Sequence, residues 1–189
     1  MREHGSGFLF SDWGYCLAVS VRDARNAKAD RAWIARVFRE YLDDLDPGGT
    51  GIFPVLEEVG HSEPDQVGRW FADNNAYPLV IVGDRGPVGF AMVARATPVA
   101  GQPPLDYRMG EFFIQREHRG LGLGRGAVRI ILDRFAGRWE ITEYARNSIA
   151  VKFWRGVVSA YTGGRYQERV INGEVRQRFE SGPARQGAR

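Results

Sequence analysis

Residues Arg119-Gly120-Leu121-Gly122-Leu123-Gly124 lie between an apolar strand-like run ending at Ile114 and a helix-like stretch beginning near Arg125. Residues without side chains let successive backbone N–H groups turn toward one point. A helix start behind them adds about half a positive charge, so the segment suits an anion such as a pyrophosphate. A glycine-rich turn that merely joins strand to helix is the other reading of the hexapeptide taken alone. Two common phosphate loops are excluded by spacing. The dinucleotide pattern Gly-x-Gly-x-x-Gly is replaced by alternating Gly120, Gly122, Gly124 and Gly126, and no Gly-Lys-Ser or Gly-Lys-Thr closes the motif.

A second stretch carries chemistry further along. Asn147 precedes Ala150, Phe153, Trp154, Val157, Val158 and Tyr161, which recur at helical spacing, so Asn147 reads as a helix cap and the rest as an apolar stripe. The pattern Arg-x-x-Gly-x-Gly from Arg119, followed by Asn-x-x-Ala-x-x-aromatic-aromatic from Asn147, resembles the two cofactor motifs of the GNAT superfamily of N-acetyltransferases, in the same order.

The elements that must position these motifs alternate along the chain. Leu17 to Val21 reads as a short strand; Ile34, Val37, Phe38, Tyr41 and Leu42 mark a helix that ends before Pro47. Pro64 suits the first turn of a second helix with Val67, Trp70 and Phe71 on its apolar face. Leu79 to Val82 and Val88 to Ala94 flank the turn residues Gly83 to Pro87 and form a hairpin, and a fourth strand runs from Tyr107 to Ile114. Val128, Ile131, Leu132 and Phe135 mark a helix stopped at Gly137; Trp139 to Tyr144 is a fifth strand. After the helix at Asn147, Gly163-Gly164 stops the chain, and Arg165 to Ile171 pairs with Val175 to Glu180 across Asn172-Gly173, a dipeptide favoured in type I′ hairpins.

This order matches the GNAT topology over nearly the whole chain. The resemblance implies an α/β (α+β) fold with a central mixed, mostly antiparallel sheet, helices on both faces, and a V-shaped splay between the fourth and fifth strands. It also implies acetyl-CoA as co-substrate, with Phe112, Phe113 and Ile114 offering backbone groups to its pantetheine arm. Arg119, Gly120, Leu121, Gly122, Leu123 and Gly124 would hold the pyrophosphate, the Arg119 guanidinium joining them and Arg116 and Arg125 standing close in sequence. Asn147, Phe153 and Trp154 would border the cofactor. The implied reaction is direct acetyl transfer to a primary amine of a small molecule or peptide.

An amine attacks only when neutral, so a base or a water path must take its proton. Glu111 on the fourth strand is the first candidate and Glu143 near the end of the fifth is the second; a solvated or salt-bridged strand residue is the plainer reading of Glu111. Relatives usually carry tyrosine at the second aromatic position of the helix to protonate the departing sulfur, and this chain has Trp154 there. Tyr144 or water is left for that role, or the thiolate leaves unaided; Tyr161, two turns further along, is about 10 Å away along the helix axis. An acyl-CoA-binding sensor or a catalytically silent interaction module is the competing class, supported by that missing tyrosine.

At 189 residues and 43% hydrophobic, the chain is sized for one core. Residues 1–15 read as a leader, 16–180 as the acetyltransferase domain and 181–189 as a polar tail. One cysteine, Cys16, excludes an internal disulfide framework, and His4, His61 and His118 lie too far apart in sequence to suggest a metal site. Interspersed charges with a net of +3 do not argue for nucleic acid, and no apolar run reaches the roughly twenty residues of a membrane span, so a cytoplasmic protein is expected. The acceptor is expected to meet residues 43–62 and the terminal hairpin. Asp43, Asp44, Asp46, Glu57 and Glu58 would attract a cationic amine there, although a solvated acidic loop explains them as well. Homodimerisation, common in the superfamily, is left open.

Overall fold

Leu79-Val80-Ile81 and Phe90-Ala91-Met92-Val93 are apolar at consecutive positions rather than alternating ones, and they are buried on both faces. Strands of that kind belong in the middle of a sheet covered on two sides. A computed structural model, which describes residues 18–45 and 63–182, puts them there. The described elements are β1 (Ser20–Asp23), α1 (Lys28–Leu45), α2 (Glu63–Ala72), β2 (Ala76–Gly83), β3 (Gly86–Arg95), β4 (Tyr107–Ile114), α3 (Leu123–Arg134), β5 (Gly137–Tyr144), α4 (Ser148–Thr162), β6 (Gln167–Ile171) and β7 (Glu174–Ser181). The strands form one seven-stranded sheet in the order β1-β2-β3-β4-β5-β7-β6, antiparallel throughout except for the β4–β5 pair.

Each face of the sheet has its own core. Ile34, Val37 and Phe38 of α1 pack with Val67 of α2 onto Phe90, Met92 and Phe113. On the opposite face Val128, Ile131 and Leu132 of α3, with Trp154, Val157 and Val158 of α4, pack onto Ile81, Val93, Trp139 and Ile141. The expected element order is therefore present, with shifted ends. β1 begins at Ser20 rather than Leu17, and α3 begins at Leu123 rather than near Arg125, because Gly122 already serves as its N-cap. Asn172 and Gly173 take left-handed φ values of 52° and 78° at the β6–β7 turn, as a type I′ hairpin requires. The leader, the tail beyond Gly182, Cys16, and the acidic residues Asp46, Glu57 and Glu58 lie outside the described residues.

Two features of β4 shape the site. Its pairing with β5 covers Tyr107, Arg108 and Met109 against Trp139, Glu140 and Ile141 and then stops, so the strands part beyond Met109. Against β3, Glu111 faces Met92 and Met109 faces Val93, which leaves Gly110 as an extra residue in a β-bulge. A Cβ on Gly110 would stand 2.3 Å from the Trp70 indole of α2, so only glycine fits.

Candidate active site

The cleft where β4 and β5 part has a volume of about 150 Å³ and is lined by Tyr41, Glu111, Phe112, Tyr144, Asn147 and Trp154, among others. Glu111 is half-buried, and the Tyr41 hydroxyl on α1 donates a short hydrogen bond to its Oε2. Burial raises the Glu111 carboxyl from its ordinary 4.5 to about 7, while the bond from Tyr41 works to lower it. The Tyr41 phenol is driven well up by burial and then by the Glu111 charge and hydrogen bond, with Tyr144 adding a smaller contribution. Helical spacing alone assigns Tyr41 only to the apolar stripe of α1. Its ring does belong to the core, against Phe38, Phe90 and Phe113, and it is the hydroxyl that reaches the site.

Glu143 sits on the other face of the sheet. It is 7% exposed, and neither carboxylate oxygen has a hydrogen-bond partner. Burial first, and then the charge of Glu168, raise it from 4.5 to about 8, with Arg155 opposing. Glu143 nonetheless lines the same cleft as Glu111, reaching it from the opposite face of the sheet. Tyr144 is half-buried on the Glu111 side of β5, one residue from Glu143.

The glycine segment is built as an open cradle. A 3-10 turn at Arg116–His118 leads into it, Gly120 and Gly122 have φ of 76° and 80°, and Gly122 caps α3. The first amide of this turn with an intrahelical acceptor is Gly126, whose N–H donates to the Gly122 carbonyl at 3.0 Å. The amides of Leu123, Gly124 and Arg125 precede it and have no carbonyl one turn back to bond. A Cβ at Gly120 or Gly122 would meet no atom within 4 Å, so the backbone there faces open space that an anionic group can enter. These features fit a diphosphate.

The Arg119 guanidinium is engaged with Ile114 and with Asp44 of α1. Its Nε donates to the Ile114 carbonyl at 2.8 Å, and its terminal nitrogens hold Asp44 of α1 at 3.1 and 2.7 Å, with the group lying over the Phe113 ring. Arg116 holds the same carboxylate at 3.2 Å. Both arginines tie the loop to α1, and Asp44 is thereby occupied rather than offered to a cationic amine. Asp43 is exposed and lies 3.8 Å from Arg39.

Asn147 caps α4: its side-chain oxygen accepts from the Ala150 N–H at 3.1 Å. Trp154 is buried, edge-on to Phe112 and Phe153, while Phe112 stacks on Phe153. Of these rings, Phe112 and Trp154 line the cleft. Tyr161 has a structural position away from the cleft, donating to Asp133 and accepting from the Gly182 N–H. Among the described residues no group of His, Cys, Asp and Glu has the arrangement of a metal site.

Comparison with known proteins agrees with this geometry. Residues 34–157 match the acetyltransferase (GNAT) family, and the chain belongs to that family. No curated protein matches the chain in sequence. Among solved structures, an acetyltransferase from Thermus thermophilus aligns with a TM-score of 0.60 at 17% identity, covering 87% of this chain and 98% of its own. The PaiA N-acetyltransferase from Thermoplasma acidophilum in complex with coenzyme A aligns at 0.56 and 10% identity, covering 87% and 99%. Spermidine N-acetyltransferase from Vibrio cholerae in complex with CoA and spermine aligns at 0.55 and 15% identity, covering 86% and 95%. At such identities the shared property is the fold.

Proposed function

We propose that the protein transfers an acetyl group from acetyl-CoA directly to a primary amine, with Glu111 as the base. The supporting observation is a carboxyl raised to about 7 at the mouth of the β4–β5 cleft, beside a glycine cradle with free helix-start amides. The amides of residues 120–124 hold the diphosphate. The parted edge of β4 at Phe112, Phe113 and Ile114 takes the pantetheine arm, with Phe153, Trp154 and Asn147 along its other side. Bound there, acetyl-CoA supplies a thioester carbonyl as the electrophile.

At neutral pH, Glu111 is divided between its two protonation states, which suits a group that must take a proton and release it again. Once the ammonium has lost one proton to solvent, the carboxylate accepts a second from the amine as the nitrogen forms its bond to the acyl carbon and the carbon–sulfur bond breaks. Tyr144, on the same side of β5, or a water donates to the departing sulfur. Tyr41 holds the Glu111 carboxylate in place. Trp154, standing where relatives use tyrosine, favours a second reading, an acyl-CoA sensor without turnover.

Calorimetry with acetyl-CoA tests the binding half of this reading. Gly122→Glu places bulk and negative charge in the cradle and is expected to abolish binding, and undiminished affinity would remove the loop assignment. Glu111→Gln should bind acetyl-CoA as wild type does and lose about 10²- to 10⁴-fold in acetylation rate. Wild-type turnover in that variant removes Glu111, and binding without acetylation of any amine in a broad panel leaves the sensor.

A further inference from the structure

Next to the cleft, on the same face of the sheet as Glu111, two arginines share one carboxylate. Glu140 of β5 is 4% exposed; Arg108 of β4 donates from Nε to its Oε1 at 3.2 Å, and Arg178 of β7 donates from Nε to its Oε2 at 2.6 Å. Burial works to raise the Glu140 carboxyl, and the two arginine bonds overcome it, so the carboxyl lies below its ordinary range. A buried, ionised Glu140 fixes both guanidinium groups by one nitrogen each. The terminal nitrogens of Arg108 and Arg178 have no partner among the described residues. Both side chains line a cavity of about 220 Å³ under the proline-rich loop at Pro98, Pro103 and Pro104. Two guanidiniums with spare donors and a single carboxylate between them leave one positive charge uncompensated at this spot.

Position makes this arrangement relevant to the acceptor. Across the bulge Arg108 stands opposite Ala94 and Glu111 opposite Met92, two strand steps apart, about 7 Å. On β5, exposed Thr142 lies between Tyr144 at the cleft and Glu140 beneath the arginines, all on one face by strand alternation. We propose that the acceptor amine carries a carboxylate about 7 Å from its nitrogen, and that Arg108 and Arg178 bind that carboxylate while Glu111 receives the amine. This rests on the acetyl-transfer reading above and adds a substrate class: a short peptide or similar amino acid derivative with a free carboxylate, as opposed to a polyamine.

Glycylglycine spans about 7 Å when extended and offers a matched control in glycylglycinamide, which lacks only the anion. CoA release from acetyl-CoA is measured with the full chain on both, and on spermidine. The expected result is a kcat/KM for glycylglycine about 10- to 100-fold above that for glycylglycinamide, the size of a charged hydrogen-bonded contact, expressed mainly in KM. In Arg178→Gln and Arg108→Gln the ratio should fall toward one. Equal use of acid and amide by the wild type overturns the inference while leaving acetyl transfer in place, as does a preference that survives both substitutions. Acetylation of no amine overturns the reading beneath it. Should a variant fail to fold, the wild-type ratio and its loss at high salt decide the matter, since a paired anion is screened and an uncharged preference is not.

Discussion

Glu143→Gln tests how the protein holds a buried carboxyl that has no partner. With a folded value of about 8 against an ordinary 4.5, Glu143 keeps its proton longer in the folded chain than in the unfolded one. The associated stability is fully present below pH 4.5 and is lost as pH rises through 8. At about 1.36 kcal/mol per pKa unit, the window from pH 5 to pH 9 corresponds to at most about 4 kcal/mol, and to about 2–4 kcal/mol once some water entry is allowed for. Glutamine has nearly the same shape and never ionises. Urea unfolding of wild type and variant at unit pH steps measures the difference, and titration of Glu111, common to both proteins, cancels. The variant should become the more stable of the two as pH rises, by about 2–4 kcal/mol between pH 5 and 9. Parallel stability curves would show that Glu143 finds a counter-charge or water, and would refute the argument from burial.

Tyr41→Phe removes the hydrogen bond that lowers the Glu111 carboxyl, so the acidic limb of the kcat/KM profile, expected near pH 7, should move to higher pH; an unmoved or acid-shifted limb contradicts it. Asp44→Asn weakens the tether from α1 to Arg116 and Arg119, and acetyl-CoA should bind up to about fivefold more weakly in calorimetry, in keeping with a partly exposed ion pair. Tighter binding would instead mean that the released Arg119 turns to the phosphates. Gly110→Ala drives a methyl into Trp70 and should lower stability by about 1–3 kcal/mol in thermal or urea unfolding; an unchanged midpoint would show that Trp70 moves aside freely.

The fold was legible where local pattern and tertiary environment agree. The apolar runs of β2 and β3, the stripe of α4 with its Asn147 cap, and the Asn172-Gly173 turn each carry their conformation in adjacent residues. The glycine loop was legible for the same reason, since Gly120 and Gly122 take conformations that side chains resist. Pairings across the chain were not. Arg119 stands beside the cradle in sequence, yet Asp44, 75 residues away, claims its guanidinium. Arg108, Glu140 and Arg178 come from three strands that only the sheet order assembles, and the hydroxyl of Tyr41 was hidden behind the apolar role of its ring. Spacing within one segment does not report which distant charge will fold against it.

The bulge at Gly110 decides which face of the sheet Glu111 takes. Met109 packs with α3 and α4, and strict alternation from it would place Glu111 on that same face, under the helices. The extra residue reverses the alternation, so Phe113 joins the core of α1 and Glu111 meets Tyr41. β5 has no such bulge, and Glu143 stays under α4 with Ile141 and Trp139 on its side. Two glutamates in corresponding places near the ends of neighbouring strands therefore end on opposite faces. Both line the cleft, one half-buried with a hydroxyl to hold it and the other buried without a hydrogen-bond partner. The fit of glycine against Trp70 is what permits the bulge, so α2, which contributes no residue to the lining of the cleft, fixes the orientation of the proposed base.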